Sequence, residues 1–134
     1  MEWSESFPNS CPPDDAECRS TTIYRFLEDK NIKLEDFLTV REKHPRRPFP
    51  EAEKECRACS LSVFTKKEEV ISLQRKVPRW RKPAAVGAIS PDSGVVKHTP
   101  SPGTDNSHHS WWVPVDVKPW TLFHEVLAPP QISP

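Results

Sequence analysis

The chain has 134 residues, with 19 basic and 19 acidic side chains and no formal net charge. Without a strongly basic balance, charge alone does not indicate a nucleic-acid-binding protein. A chain of this length suits one domain that buries a core without help from disulfides. The chain has 16 prolines among its 134 residues, a larger share than the average usage of about 5%. This proline content predicts long irregular connections.

Two features of the chain predict a cytoplasmic location. No apolar run approaches the ~18 residues that a membrane span needs. The first five residues also lack the basic region and apolar stretch of a signal peptide. In that compartment we expect the four cysteines to be thiols or metal ligands rather than disulfides.

The first 60 residues predict an irregular lead-in, one strand and one helix. Residues 1–20 are rich in Pro, Asp and Ser and have no hydrophobic period. The β-branched and aromatic run at 21–27 predicts a strand. Apolar residues at helical spacing predict a helix near 33–43, which Pro45 ends.

The rest of the chain predicts the best helix and most of the strands. A short strand at 61–64 precedes a helix over 65–77, which a capping-box match of Thr65 with Glu68 opens. Further strand candidates lie at 84–89, 94–99, 109–113 and 121–127. Turn-forming residues between the first two of these predict that they form a hairpin.

Short helices and strands in mixed order predict an α+β fold. We expect a single compact domain over 21–128, with a short, largely antiparallel curved sheet, about two helices and long Pro-rich loops. Residues 1–20 form the lead-in, and residues 129–134 form a C-terminal tail.

The segment 107–112 combines two imidazoles with two indoles. In a strand, His108 and Trp112 share one face, while His109 and Trp111 share the other. Such side chains suit a pocket wall or a partner surface, and they also suit a strand end with a buried indole.

A basic stretch ends the longer helix, with Trp80 between Arg79 and Arg81. These residues could stack a base and contact phosphate, as in proteins that bind single strands. Alternatively, the cations stabilise the helix end while the indole packs on the core.

The four cysteines offer a possible metal site. Cys56 and Cys59 have the spacing of a zinc knuckle, and Cys11 and Cys18 could complete a four-thiolate site. The alternative is four unligated thiols that pack as small apolar groups.

Most catalytic motifs are missing from the sequence. For example, its three glycines match no phosphate-binding loop. The segments TIYRFL, SLSVFTKKEEV and LFHEVLAP look loosely similar to ADP-ribosyltransferase-like proteins. That resemblance implies that Arg25 holds phosphate or ribose of NAD, that Ser62 supports the nicotinamide side and that Glu125 stabilises an oxocarbenium-like transition state. Phe123 stands where a further acid would be expected.

A second resemblance covers nearly the whole chain. The motif order resembles that of small uncharacterised bacterial proteins without an established activity. It runs CPPDDAE, IYRFL, EDF, EC before LSVF, a helix that ends in a Pro, GVVKHTPS, SHHSWW and LFHEVL. It implies a single compact domain. Cys11 and Cys56 fit this pattern, whereas Cys18 and Cys59 are particular to this chain.

We therefore expect a small non-catalytic binding module, an accessory or regulatory protein that docks on a protein or nucleoprotein partner without a cofactor. The expected contact surface consists of His108, His109, Trp111, Trp112, Arg79, Trp80 and Arg81. An NAD-dependent ADP-ribosyltransferase-like enzyme and a structural zinc protein are the alternatives.

Overall fold

A computed structural model describes residues 1–131 and has an α+β architecture. Its centre is one open, antiparallel six-stranded sheet. The strands are β1 (Thr21–Phe26), β2 (Leu61–Phe64), β3 (Ala84–Ile89), β4 (Val95–His98), β5 (His108–Trp112) and β6 (Phe123–Leu127). The helices are α1 (Val40–Lys43), α2 (Ala52–Ala58) and α3 (Lys67–Lys76). The expected fold class is therefore confirmed. None of the described helices is long and apolar enough to cross a membrane.

The strand order is β4-β5-β2-β1-β3-β6, which corrects the predicted hairpin. β3 pairs with β1 and β6, whereas β4 pairs only with β5. Gly94, at φ 121°, passes so close to the Trp112 carbonyl that a side chain would not fit there. The turn at 90–94 therefore leads the chain to a distant part of the sheet.

The helices also differ from the prediction. The segment near 33–43 forms a 3-10 turn at Leu34–Phe37 and the short α1 rather than one helix. Helix α3 begins after Lys66 and has no side-chain cap, so the predicted capping box of Thr65 is wrong. Helix α2, which was not predicted, is short and mostly charged.

Both faces of the sheet are covered. Ile23, Val63 and Trp111 share one face and belong to the larger core cluster. On the other face, Tyr24 and Phe64 pack with Val70 of α3. Trp111 of β5 packs in the larger cluster and Trp112 packs in a separate one, so both faces of β5 are covered.

The lead-in packs on the sheet without regular structure. Trp112 lies beneath it in a third cluster with Trp3 and Phe7, and its indole N–H donates to the Cys56 carbonyl at 2.9 Å. Cys11 and Cys56 form a disulfide with a Cα–Cα distance of 5.5 Å. The expectation of four thiols or metal ligands is therefore wrong for this pair, because folding the lead-in onto α2 brings the two side chains together.

Loss of the disulfide should destabilise the fold. The bond joins residues 45 positions apart, and closing a loop of that length contributes about 4 kcal/mol through unfolded-state entropy. The variant with both Cys11 and Cys56 replaced by Ser should lose about that free energy of unfolding in urea titrations. Cys18→Ser, at an exposed free thiol, is the control; equal stability of all three proteins would contradict the role of the disulfide.

Trp112 should act as a core residue. Its side chain is only 2% exposed, and truncation of a buried tryptophan costs about 3–5 kcal/mol. We expect Trp112→Ala to lower the free energy of unfolding by that amount, and Trp80→Ala, at a half-buried indole, to cost clearly less. A Trp112→Ala protein as stable as the wild type would contradict this packing.

Candidate functional site

A cleft opens where β1 and β2 separate. These strands share one registered pair, Tyr24 opposite Phe64, whereas β1 and β3 remain paired along all six residues of β1. Beyond the single pair lies a cavity of about 450 Å³. We call it the β1–β2 cleft; its lining includes Arg25, Phe26, Asp36, Ser62, Phe64, Trp80, Lys82 and His108.

A row of four aromatic rings forms one wall of the cleft. The ring centroids of Trp80 and Phe26 lie 4.8 Å apart, those of Phe26 and Phe64 6.0 Å, and those of Phe64 and His108 5.5 Å. Trp80, Phe26 and His108 are only half-buried. The row therefore offers ring faces and edges on which a planar ligand can stack.

Arg25 reaches the cleft from the face of the sheet opposite to Phe26, because side chains alternate along β1. Its Nε–H donates to the Asp36 carbonyl at 2.9 Å and its Nη1–H donates to the Ser62 carbonyl at 2.8 Å. Burial lowers the pKa of Arg25 to about 10, and the negative charge of Asp36 opposes that shift. The guanidinium stays charged at neutral pH and retains donors beyond the two in use.

Lysines supply further positive charge around the cleft. Lys82 pairs with Glu28 at 3.0 Å, and Lys33 pairs with Asp29 at 2.7 Å. Lys43 also lines the cleft and forms no ion pair within residues 1–131. Exposed ion pairs are weak, so these lysines can exchange a carboxylate for a ligand phosphate at small cost.

The two histidines of β5 have different roles. His108 faces the cleft and its Nδ1 donates to the Thr99 carbonyl at 2.7 Å. His109 is buried; its Nδ1 donates to Ser107 at 2.7 Å and its Nε2 accepts from Arg19 at 3.2 Å. Burial lowers the pKa of both imidazoles. The Arg19 contact further requires His109 to be neutral.

The predicted Trp/His/Arg surface is only partly accessible. Trp111 and Trp112 are 0% and 2% exposed, and His109 is 6% exposed, so these three side chains cannot form a docking surface. The sequence pattern did not reveal that β5 is an inner strand. His108 and Trp80 instead contribute to the cleft.

The arginines beside Trp80 remain exposed, and each has a contact within the protein. The Arg79 guanidinium lies 5.7 Å from the Trp80 ring centroid, a cation–π arrangement. Arg81 donates to the Arg75 carbonyl at 3.2 Å and thereby satisfies a carbonyl in the last turn of α3.

The structure joins two of the three residues of the ADP-ribosyltransferase-like set. Arg25 and Ser62 line the same cleft. Glu125 lies on β6, on the far side of β3, and pairs with Val86. Because Tyr24 pairs with both Phe64 and Val86, alternation places the Ser62 and Glu125 side chains on one face of the sheet and the Arg25 side chain on the other. The set of three therefore does not surround one ligand.

The proposed four-cysteine zinc site is not assembled. Cys11 and Cys56 are bonded to each other, Cys18 is exposed and Cys59 is buried. Burial raises the pKa of the Cys59 thiol, which disfavours the thiolate that binds metal. No cluster of three potential metal ligands occurs within residues 1–131.

Several cleft residues were not among the predicted site residues. Phe26, Phe64, Asp36 and Lys43 come from three separate segments of the chain. Only the strand order brings these segments together, and a single sequence does not specify that order. The aromatic residues of IYRFL and LSVF were the available signal, but their alternation also predicts ordinary core packing.

The chain matches no protein-family model, no curated protein and no solved structure in these comparisons. The function of the β1–β2 cleft is therefore inferred from its own residues.

The lowered histidine pKa values predict a loss of stability in acid. An unfolded histidine binds protons below its ordinary pKa of about 6.5, whereas the folded His108 and His109 bind them only at lower pH. The free energy of unfolding should therefore fall as the pH decreases below about 6.5. His109→Gln should reduce this slope in urea titrations across that range. An equal slope in His109→Gln and in the wild type would contradict the assignment.

Proposed function

We propose that this protein is a non-catalytic binding module that holds a nucleotide in the β1–β2 cleft. The observation that carries the proposal is the row of aromatic rings beside Arg25 in one cavity. Rings that stack a planar group, next to cations that contact phosphate, together match the two halves of a nucleotide.

The size of the cleft is consistent with such a ligand. Small-molecule sites typically have volumes of about 300–1,000 Å³, and this one has about 450 Å³. The base or nicotinamide ring would lie against Phe26 and Trp80. The phosphate of the nucleotide would lie near Lys82 and Lys43, and Arg25 would be a buried hydrogen-bond donor to it.

Two sources could supply this nucleotide. One is free NAD, and the other is an unpaired nucleotide of a nucleoprotein partner. Exposed Arg79 and Arg81 lie next to Trp80 and would extend the contact along a strand. In the second case the module would serve as the accessory or regulatory protein expected from the sequence.

The location of the protein stays a prediction. The expected location is the cytoplasm, where disulfides are rare. The Cys11–Cys56 bond therefore weighs against that expectation.

Trp80→Ala should weaken binding. Stacking of a base on an aromatic side chain contributes about 1–3 kcal/mol, so we expect the dissociation constant to rise about tenfold. Calorimetric titration with NAD and with a short single-stranded RNA would measure the effect and distinguish the two sources. Trp3→Ala removes a half-buried indole that does not line the cleft and is the matched control. The proposal is wrong if the wild type binds neither probe, or if both variants bind like the wild type.

An NAD-consuming enzyme is the second candidate, because Arg25 and Ser62 line the same cleft. The Ser62 side chain is exposed and accessible to a ligand. Incubation with NAD and assay of released nicotinamide would separate the candidates. Release that is lost in Ser62→Ala would support the enzyme, whereas saturable binding without release would support the binding module.

A further inference from the structure

Asp36 has a buried carboxylate oxygen without a hydrogen-bond partner among the described residues. The residue is 8% exposed and lines the β1–β2 cleft. Its Oδ1 accepts the Glu28 backbone N–H at 3.3 Å, while its Oδ2 is fully buried and unbonded. Buried polar atoms almost always have partners, and a missing partner costs free energy. Asp36, a residue that lines the cleft, therefore keeps an unused acceptor just beneath its surface.

The neighbouring donors are engaged elsewhere. Arg25 donates to the Asp36 carbonyl and to the Ser62 carbonyl rather than to the carboxylate. Lys33 pairs with Asp29. A ligand in the cleft could supply the missing donor, because the terminal torsion of an aspartate is broad and a modest rotation would present Oδ2 to it.

We propose that Asp36 selects ligands whose ring carries an N–H donor, such as a carboxamide or an exocyclic amine. This inference rests on the proposed nucleotide site and specifies its ligand class. A ring with a carboxylate at the same place would put two negative charges together and would leave Oδ2 unbonded. Asp36 should therefore disfavour a ring that carries a carboxylate, even though the nearby lysines attract negative charge.

The first measurement compares NAD with nicotinic acid adenine dinucleotide, in which a carboxylate replaces the carboxamide. Calorimetry should show that the wild type binds NAD about tenfold more tightly, as expected for loss of one hydrogen bond to a charged group. Equal affinity of the wild type for the two dinucleotides would overturn the proposal without any variant.

Asp36→Asn tests the residue directly. Asparagine has the same shape and keeps an oxygen that can accept the Glu28 N–H, but it places an N–H donor where Oδ2 was. We expect the preference for NAD to disappear or reverse in this variant. Asp92→Asn, which changes an exposed carboxylate outside the cleft, is the matched control and should keep the wild-type preference.

A second pair of ligands tests the case in which the nucleotide belongs to a nucleoprotein partner. AMP carries an exocyclic amine, and purine riboside monophosphate lacks it. The wild type should prefer AMP, and Asp36→Asn should lose that preference.

The outcomes separate the inference from the proposed function. Wild-type binding with an unchanged preference in Asp36→Asn would overturn the role of Asp36 and leave the nucleotide site intact. Absence of wild-type binding to every probe would remove the nucleotide site and the inference with it.

Discussion

The two hydrogen bonds of Arg25 join β2 and the 3-10 turn at the point where the sheet opens. Where β1 and β2 part, the Ser62 carbonyl loses the neighbouring strand as a partner, and Arg25 supplies a donor at 2.8 Å. The same side chain holds the Asp36 carbonyl at 2.9 Å and so fixes the 3-10 turn beside the gap. One arginine therefore supplies donors to two backbone carbonyls on either side of the cleft. A charged group that remains buried there also becomes available to a ligand.

The sheet order determines which side chains meet at this gap. β2 lies between β1 and β5, so Phe64 is placed between Phe26 and His108. Trp80 follows α3 and reaches Phe26 from the other end. Four rings from separate segments thereby form one wall. Trp111 and Trp112 are buried because the larger core cluster covers one face of β5 and the lead-in covers the other.

Local pattern in the sequence was sufficient for the strands and insufficient for their arrangement. Alternating β-branched and aromatic residues located β1 and β2 within one residue. The turn residues at 90–94 indicated a reversal, but the close approach of Gly94 to the Trp112 backbone directs the chain to β5 instead. Arg25, Ser62, Trp80 and His108 were among the candidate residues, yet no periodicity could indicate that they share a cavity. The Cys11–Cys56 bond was missed for the same reason, since it depends on how the lead-in folds back.

The proposed function requires that a nucleotide enters the β1–β2 cleft. The five tryptophans provide separate indole N–H signals in a two-dimensional NMR spectrum of the ¹⁵N-labelled protein. During titration with NAD and then with single-stranded RNA, the Trp80 indole and the Arg25 Nε–H signals should shift progressively with one of the two. Signals of Trp3, which lies in the lead-in, should stay in place. Shifts confined to Trp3 or to Trp120, or no shifts with either ligand, would contradict the account.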